Sequence, residues 1–328
     1  MTRYPTWLAA VVLPLAEFID DAADPKVIFT DLQEIAQGES GSVYSAHAAP
    51  SVVQQLPHDS TDSPQVAIKH IPLLRGGSAK LGDLRRELEL TRAVRHANIL
   101  RMERLYVDVP DESLWIGMEL MDRSLADVLA AVGEEAAVPA SATSTVTGTM
   151  VLLALSYIRK SHIAHRDVRS DNLLLSRAGV LKLSDFSNAV RSPPGTPKRS
   201  DPVGVIYWQA PEMRTGLYDP LKVDVWSLGA TTWELVHGDP PLADVQDPRH
   251  ITGHQLPPVR QPETFSRSFH DFLHLCSQPV ASRPDPDELL NAYFIRTACP
   301  RSEIVKLLGQ CKAIDEQQLF RQSGDSHF

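Results

Sequence analysis

Eight consecutive residues, His165-Arg166-Asp167-Val168-Arg169-Ser170-Asp171-Asn172, carry the densest chemistry in the chain, and Asp185 follows thirteen residues after Asn172. A carboxylate can accept a hydroxyl proton, and an amide oxygen with a second carboxylate can hold Mg²⁺. In this order they are the parts that phosphoryl transfer needs. Four fixed residues in such an octapeptide arise by chance in about one chain of this length in five hundred. A plain solvated loop is the poorer reading.

Such a loop has to be held by larger elements. Val27–Ala48 and Val66–Leu73 read as strands, the first folded around a glycine turn, and Leu114–Leu120 reads as another. Ala49–Gln65, rich in Pro, Ser, Asp and Gln, reads as an exposed insertion. Helical spacing runs through Asp83–Val94, from Ser124 through Leu129 and Val132, and through Met150–Lys160, Val223–Val236, Phe269–Cys276 and Asp287–Phe294. Strands first and helices later indicate an α+β chain.

The chain has 328 residues and a net charge of −9, which argues against a nucleic-acid partner and suits basic peptides. Cys276, Cys299 and Cys311 are odd in number and widely spaced, so free thiols in a reducing compartment, the cytoplasm, are expected. The apolar run Trp7–Ala16 is too short to cross a bilayer and contains Pro14. Followed by the acidic stretch Glu17–Asp21, it reads as a helix docked on the domain, with no membrane span expected.

Further motifs flank the loop. Ala36, Gly38, Gly41 and Val43 lie in a glycine-rich turn, about twenty-five residues before Val66-Ala67-Ile68-Lys69. Downstream come Asp185-Phe186-Ser187, Tyr207-Trp208-Gln209-Ala210-Pro211-Glu212 and Asp224-Val225-Trp226-Ser227-Leu228-Gly229. Six motifs in this order resemble eukaryotic protein kinases, and most closely the PAK-type serine/threonine kinases. Asp24-Pro25-Lys26, Gln37-Gly38-Glu39-Ser40-Gly41-Ser42-Val43-Tyr44, Ser170-Asp171-Asn172, Lys198-Arg199-Ser200 and the ending from Glu288-Leu289-Leu290 to Lys312 carry the PAK-like character.

The resemblance implies a two-lobed kinase fold with a small β-rich N-lobe and a larger helical C-lobe. Its expected parts are an N-terminal helical extension (1–28), N-lobe (29–118), hinge (119–122), C-lobe (123–314) and polar tail (315–328). It implies ATP and Mg²⁺ as cofactors and proteins as substrates. No GTPase-binding segment is expected in the chain. Lys69 takes the place of the lysine on the α and β phosphates; Glu87 is preferred over Glu89 as its partner, on register from Asn98. Met118 is the implied gatekeeper, with Glu119, Leu120 and Met121 at the adenine and Val43, Ala67 and Leu174 around its ring. Asp167 is the implied base, Asn172 and Asp185 hold metal, and Glu212 pairs with Arg283.

Departures from that pattern concern positioning. Arg169 stands where the family has a lysine, and Val205 replaces the threonine that bridges that lysine to the catalytic aspartate. Ala36 replaces a glycine, Ser187 replaces a glycine, and Thr91 stands where a large apolar residue is usual. Asp201 falls at the activating phosphothreonine, where its carboxylate could pair with Arg166 without modification. Ser200, Thr196 and Ser192 are candidate phosphorylation sites. Two functions follow: an ATP-dependent protein serine/threonine kinase, or a kinase-fold scaffold of little activity. Lys69, Glu87, Asp167, Asn172 and Asp185 together favour the kinase. Arg169 and Val205 weigh against the serine/threonine assignment, because some tyrosine kinases also carry arginine there.

Overall fold

The computed structural model describes residues 4–38, 41–50, 65–77, 79–92, 94–132, 144–245, 251 and 255–324. Two compact units divide the chain: Met1–Val94 with Leu100–Met121, and Arg95–Ile99 with Asp122–Phe328.

The first unit is built on an antiparallel sheet in the order β1-β2-β3-β5-β4. Its strands are β1 (Phe29–Gly38), β2 (Gly41–Ala48), β3 (Gln65–Pro72), β4 (Met102–Asp108) and β5 (Ser113–Glu119). Strand β4 was not anticipated. Glu103 and Arg104 break the apolar alternation in its first half, and its tertiary position at the sheet edge supplies the pairing. One sheet face packs Phe29, Ile68, Tyr106 and Trp115 together. The other packs Ile71, Leu105, Val107, Leu114 and Ile116 against Leu81, Leu84 and Leu88 of helix α2 (Ala79–Thr91). Helix α1 (Thr6–Val12) and the 3-10 turn after it add Leu8, Val12 and Leu15 to that same core. A fully buried leucine contributes roughly 2 kcal/mol, so the N-terminal segment is an integral part of this unit.

Helices dominate the second unit: α3 (Leu125–Val132), α4 (Leu152–Lys160), α5 (Val223–His237), α6 (Arg267–Cys276) and α7 (Arg301–Gly324). Ser124 opens α3 as expected, its hydroxyl accepting from Asp127 N at 3.0 Å while Asp127 Oδ2 accepts from Ser124 N at 2.8 Å. Every residue of α5 is buried, which makes it the post around which the unit is assembled. Asp287–Phe294 does not form one helix. It splits into turns Pro286–Leu289 and Tyr293–Arg296, because the Asn291 side chain donates back to Asp287 O and Ala292 is extended. Helix α7 continues through 315–324, where a tail was expected. Among the described residues no helix is long and apolar enough to cross a membrane.

Candidate catalytic and nucleotide-binding residues

In the second unit the octapeptide is pinned from below by α5. The buried Asp224 carboxylate accepts from His165 N (2.8 Å) and Arg166 N (2.7 Å), while burial pushes its own carboxyl upward. Those bonds hold Arg166 in the left-handed region at φ 66°, which costs a non-glycine residue strain. His165 Nδ1 accepts from Asp167 N, leaving Nε2–H to donate to Ser184 O at 2.9 Å, and Phe186 packs edge-on against its ring.

Asp167 Oδ2 accepts from Asn188 Nδ2 at 3.2 Å, and Arg169 Nε lies 3.6 Å from Asp167 Oδ1. Arg169 also donates through Nη1 to Asp171, and its guanidinium lies 5.9 Å over the Trp208 ring. Its Nε, though buried, makes no hydrogen bond among the described residues. Gly204 approaches this carboxylate so closely that an added Cβ would lie 2.9 Å from Asp167 Oδ1 and 2.8 Å from Arg166 O. With φ at +76°, only glycine fits there, while Val205 is exposed beside it.

Asn172 Nδ2 donates to Asp167 O at 2.8 Å, which leaves the amide oxygen as its ligating atom. Asp185 is exposed, in the left-handed region at φ 59°, and its Oδ1 accepts from Ser187 N. Ser187 is absent from the left-handed residues, so the serine imposes no backbone strain at the position where glycine was expected. Two oxygen donors in one unit fit a hard cation that arrives with phosphate oxygens. Among the described residues no cluster of three His, Cys, Asp or Glu could bind a metal by itself. Leu174 lies half-buried on the short strand Leu173–Leu175.

Asp201 meets Arg166 at 3.0 Å and is also gripped by Arg199, with both Nε and Nη2 at 2.7 Å. Arg199 first and Arg166 second hold its carboxyl well below the usual carboxylate range. Arg166 additionally donates to Asn188 O and to Tyr218 OH, which in turn donates to Asp201 O. Ser200 is exposed next to it; Ser192 is buried, so its hydroxyl is shielded from a modifying enzyme. Further on, Glu212 and Arg283 form a bidentate pair.

In the first unit, strand register groups the nucleotide-side residues. Ala36 faces Val43, Val43 faces Lys69, and Ala67 faces Met118. Direct partners share a face, so these five lie on one side of the sheet. Ile71 and Ile116 belong to that side too, and they pack against α2. Glu87 is a buried residue of α2 at 8% exposure, whereas Glu89 is half-exposed and bound to Arg85 at 2.7 Å. The Thr91 hydroxyl donates to Glu87 O at 2.8 Å, so the unexpected polar group is paired within its own helix. Gly41 has a reason that needs no nucleotide: a Cβ there would lie 2.2 Å from His70 O. Gly38 pairs with Gly41, while Glu39 and Ser40 lie outside the described residues. Met118 and Glu119 end β5, and the chain passes from Met121 into the second unit.

Asn188, Arg199, Gly204 and Tyr218 were missed as site residues. Arg199 appeared only inside a PAK-like tripeptide, and nothing in the local sequence marks the other three.

The family model for the protein kinase domain matches residues 29–295. The chain is 34% identical over 290 residues to the serine/threonine-protein kinase pakC of Dictyostelium discoideum, covering 87% of this chain and 57% of the relative. It is 34% identical over 311 residues to the serine/threonine-protein kinase PAK 1 of Mus musculus (92% and 52%). It is 31% identical over 326 residues to the serine/threonine-protein kinase CLA4 of Saccharomyces cerevisiae (93% and 38%). The chain thus spans about half, or less, of the length of these relatives.

Proposed function

The chain belongs to the protein kinase family, and from that premise we propose that it is an ATP-dependent protein serine/threonine kinase, using Mg²⁺ to transfer the γ-phosphoryl group of ATP. One observation carries this reading: Asp167 is oriented through Oδ2 by Asn188, while the buried Arg169 Nε lies 3.6 Å from its Oδ1 as an ion pair. Asp167 orients the substrate hydroxyl and takes its proton. Arg169 supplies positive charge to the transferring group, with a broader fork than lysine offers. Asn172 and Asp185 are the metal-holding residues. Bound Mg²⁺ supplies charge neutralisation between the phosphates.

Lys69 is assigned to the phosphates and Glu87 to bracing it; the burial of Glu87 and the exposed pairing of Glu89 support that choice. Ala36, Gly38, Gly41, Val43, Ala67, Met118, Glu119, Met121 and Leu174 are assigned to the nucleotide. Asp201 substitutes for a phosphorylated residue opposite Arg166, and the four-membered cluster it forms with Arg199 and Tyr218 supports this. The names of the similar proteins support serine and threonine as acceptors.

The test is ³²P transfer from Mg·ATP to a mixture of basic peptides, with Asp167→Asn as control and phosphoamino-acid analysis of the product. Phosphoserine and phosphothreonine are expected. Signal no greater than the control would point to a scaffold, and phosphotyrosine would overturn the acceptor assignment.

A further inference from the structure

Valine at 205 offers no hydroxyl to tie Arg169 to Asp167 as in the family, yet Arg169 Nε lies 3.6 Å from Asp167 Oδ1. The atoms that hold them lead back to one side chain. Arg169 lies over the Trp208 ring, and Trp208 Nε1 donates to Glu234 Oε2 at 2.9 Å. Glu234 Oε1 accepts from Ser170 Oγ, the residue that follows Arg169. Glu234 is 5% exposed on α5 and Ser170 is fully buried, while the Arg169 guanidinium lies over the ring that donates to Glu234.

Both carboxylate oxygens are therefore spent on fixing two elements: the catalytic loop through Ser170, and the end of the segment before Ala210-Pro211-Glu212 through Trp208. An ionised carboxylate makes such bonds roughly twice as strong as a neutral acceptor does. Burial first, and the neighbouring Asp171 charge, push the Glu234 carboxyl up to about 7, against the hydrogen bonds from Ser170 and Trp208.

We propose that Glu234 is a positioning residue for phosphoryl transfer, holding Trp208 and Ser170 so that Arg169 stays aligned with Asp167 in place of the missing threonine contact. The inference rests on the kinase reading above.

Glu234→Gln is a neutral copy of the protonated side chain: its amide can donate to Ser170 Oγ while its oxygen still accepts from Trp208. In the full chain, kcat and both KM values should be measured from about pH 6 to about pH 8.5 beside thermal unfolding. At about pH 8 the variant should lose about tenfold in kcat, within the hundredfold that an ångström of misplacement can cost, with KM for ATP within about twofold. Towards about pH 6 wild type should converge on the variant, since its own carboxylate is then protonated. Trp208→Phe, which keeps a ring and removes the N–H, should lower kcat similarly, and the double variant should lose little more.

An unchanged kcat at about pH 8, or a loss constant with pH and matched by lower stability, would reduce Glu234 to a structural brace. A change in peptide KM alone would make it a substrate contact. Wild type without transfer above the Asp167→Asn control sinks the kinase reading as well; an active wild type indifferent to Glu234→Gln sinks only this proposal.

Discussion

Two carboxylate–guanidinium clamps tie down the segment between Asp185 and Glu212, and they use the same chemistry in different surroundings. Glu212 and Arg283 are 15% and 1% exposed, and Arg283 also donates to Gln278 O and Lys222 O and lies over Trp226. Asp201 is 42% exposed and draws on two guanidiniums, one buried and one open. A buried pair must offset the desolvation of both ions, so it is nearly neutral when whole and very costly when halved. A half-exposed one is screened by water and salt, and can be altered without unfolding its surroundings. The first clamp is suited to structure and the second to adjustment. Glu234 is the third case, a carboxylate buried with neutral donors only.

The contrast can be broken most forcefully at Arg283. Arg283→Ala should destabilise the protein by about 3–5 kcal/mol in denaturant unfolding, while the apolar pair Glu212→Leu with Arg283→Met should recover most of it. A loss below about 1 kcal/mol would mean that the pair is not desolvated as its burial indicates.

Glu234 comes next. Its folded pKa lies above the unfolded value, so its stabilising share is full below about pH 4.5 and is lost as pH rises through about 7. Wild type should therefore lose about 3 kcal/mol relative to Glu234→Gln between those limits. A difference independent of pH would refute the assignment.

For Asp201 the sign reverses. Its pKa is depressed, so its contribution is present above the ordinary Asp value of 3.8 and disappears as pH falls below it. Asp201→Asn should cost about 1 kcal/mol of stability but about tenfold in kcat, since the segment loses order rather than fold. An unchanged rate in the purified protein would end the phosphothreonine analogy.

The smallest effect is that of salt. Between about 0.1 M and 1 M NaCl the Debye length falls from about 10 Å to about 3 Å, which should take a few tenths of a kcal/mol from the Asp201 clamp and nothing measurable from Glu212–Arg283. Comparing each single variant with wild type at both salts measures this directly.

Much of the molecule was legible beforehand because its signals are local. Strands β1, β2, β3 and β5 and helices α2 to α6 carry their own periodicity, and Ser124 announces a helix start by the side chain it offers. Strand β4 was not legible, since charged residues at its start hide a pairing that only β5 and the sheet edge create. Glu87 and Glu89 have the same residue type two positions apart; which one is buried depends on where α2 packs.

By itself, the sequence determined which chemical groups are present and in what order: the Asp167 loop, its Asn172, the later Asp185, and the lysine of β3. Spacing along a chain constrains such motifs because each is completed within a few residues. Resemblance to the family implied, beyond this, that Arg169 and Val205 lack its usual lysine–threonine contact. Only the tertiary structure decided which groups meet around these residues, since Trp208 and Ser170 reach Glu234 from 26 and 64 residues away, and Arg166 reaches Asp201 across 35. The partners of a buried charge are settled by packing, where desolvation selects whichever donors happen to be enclosed with it.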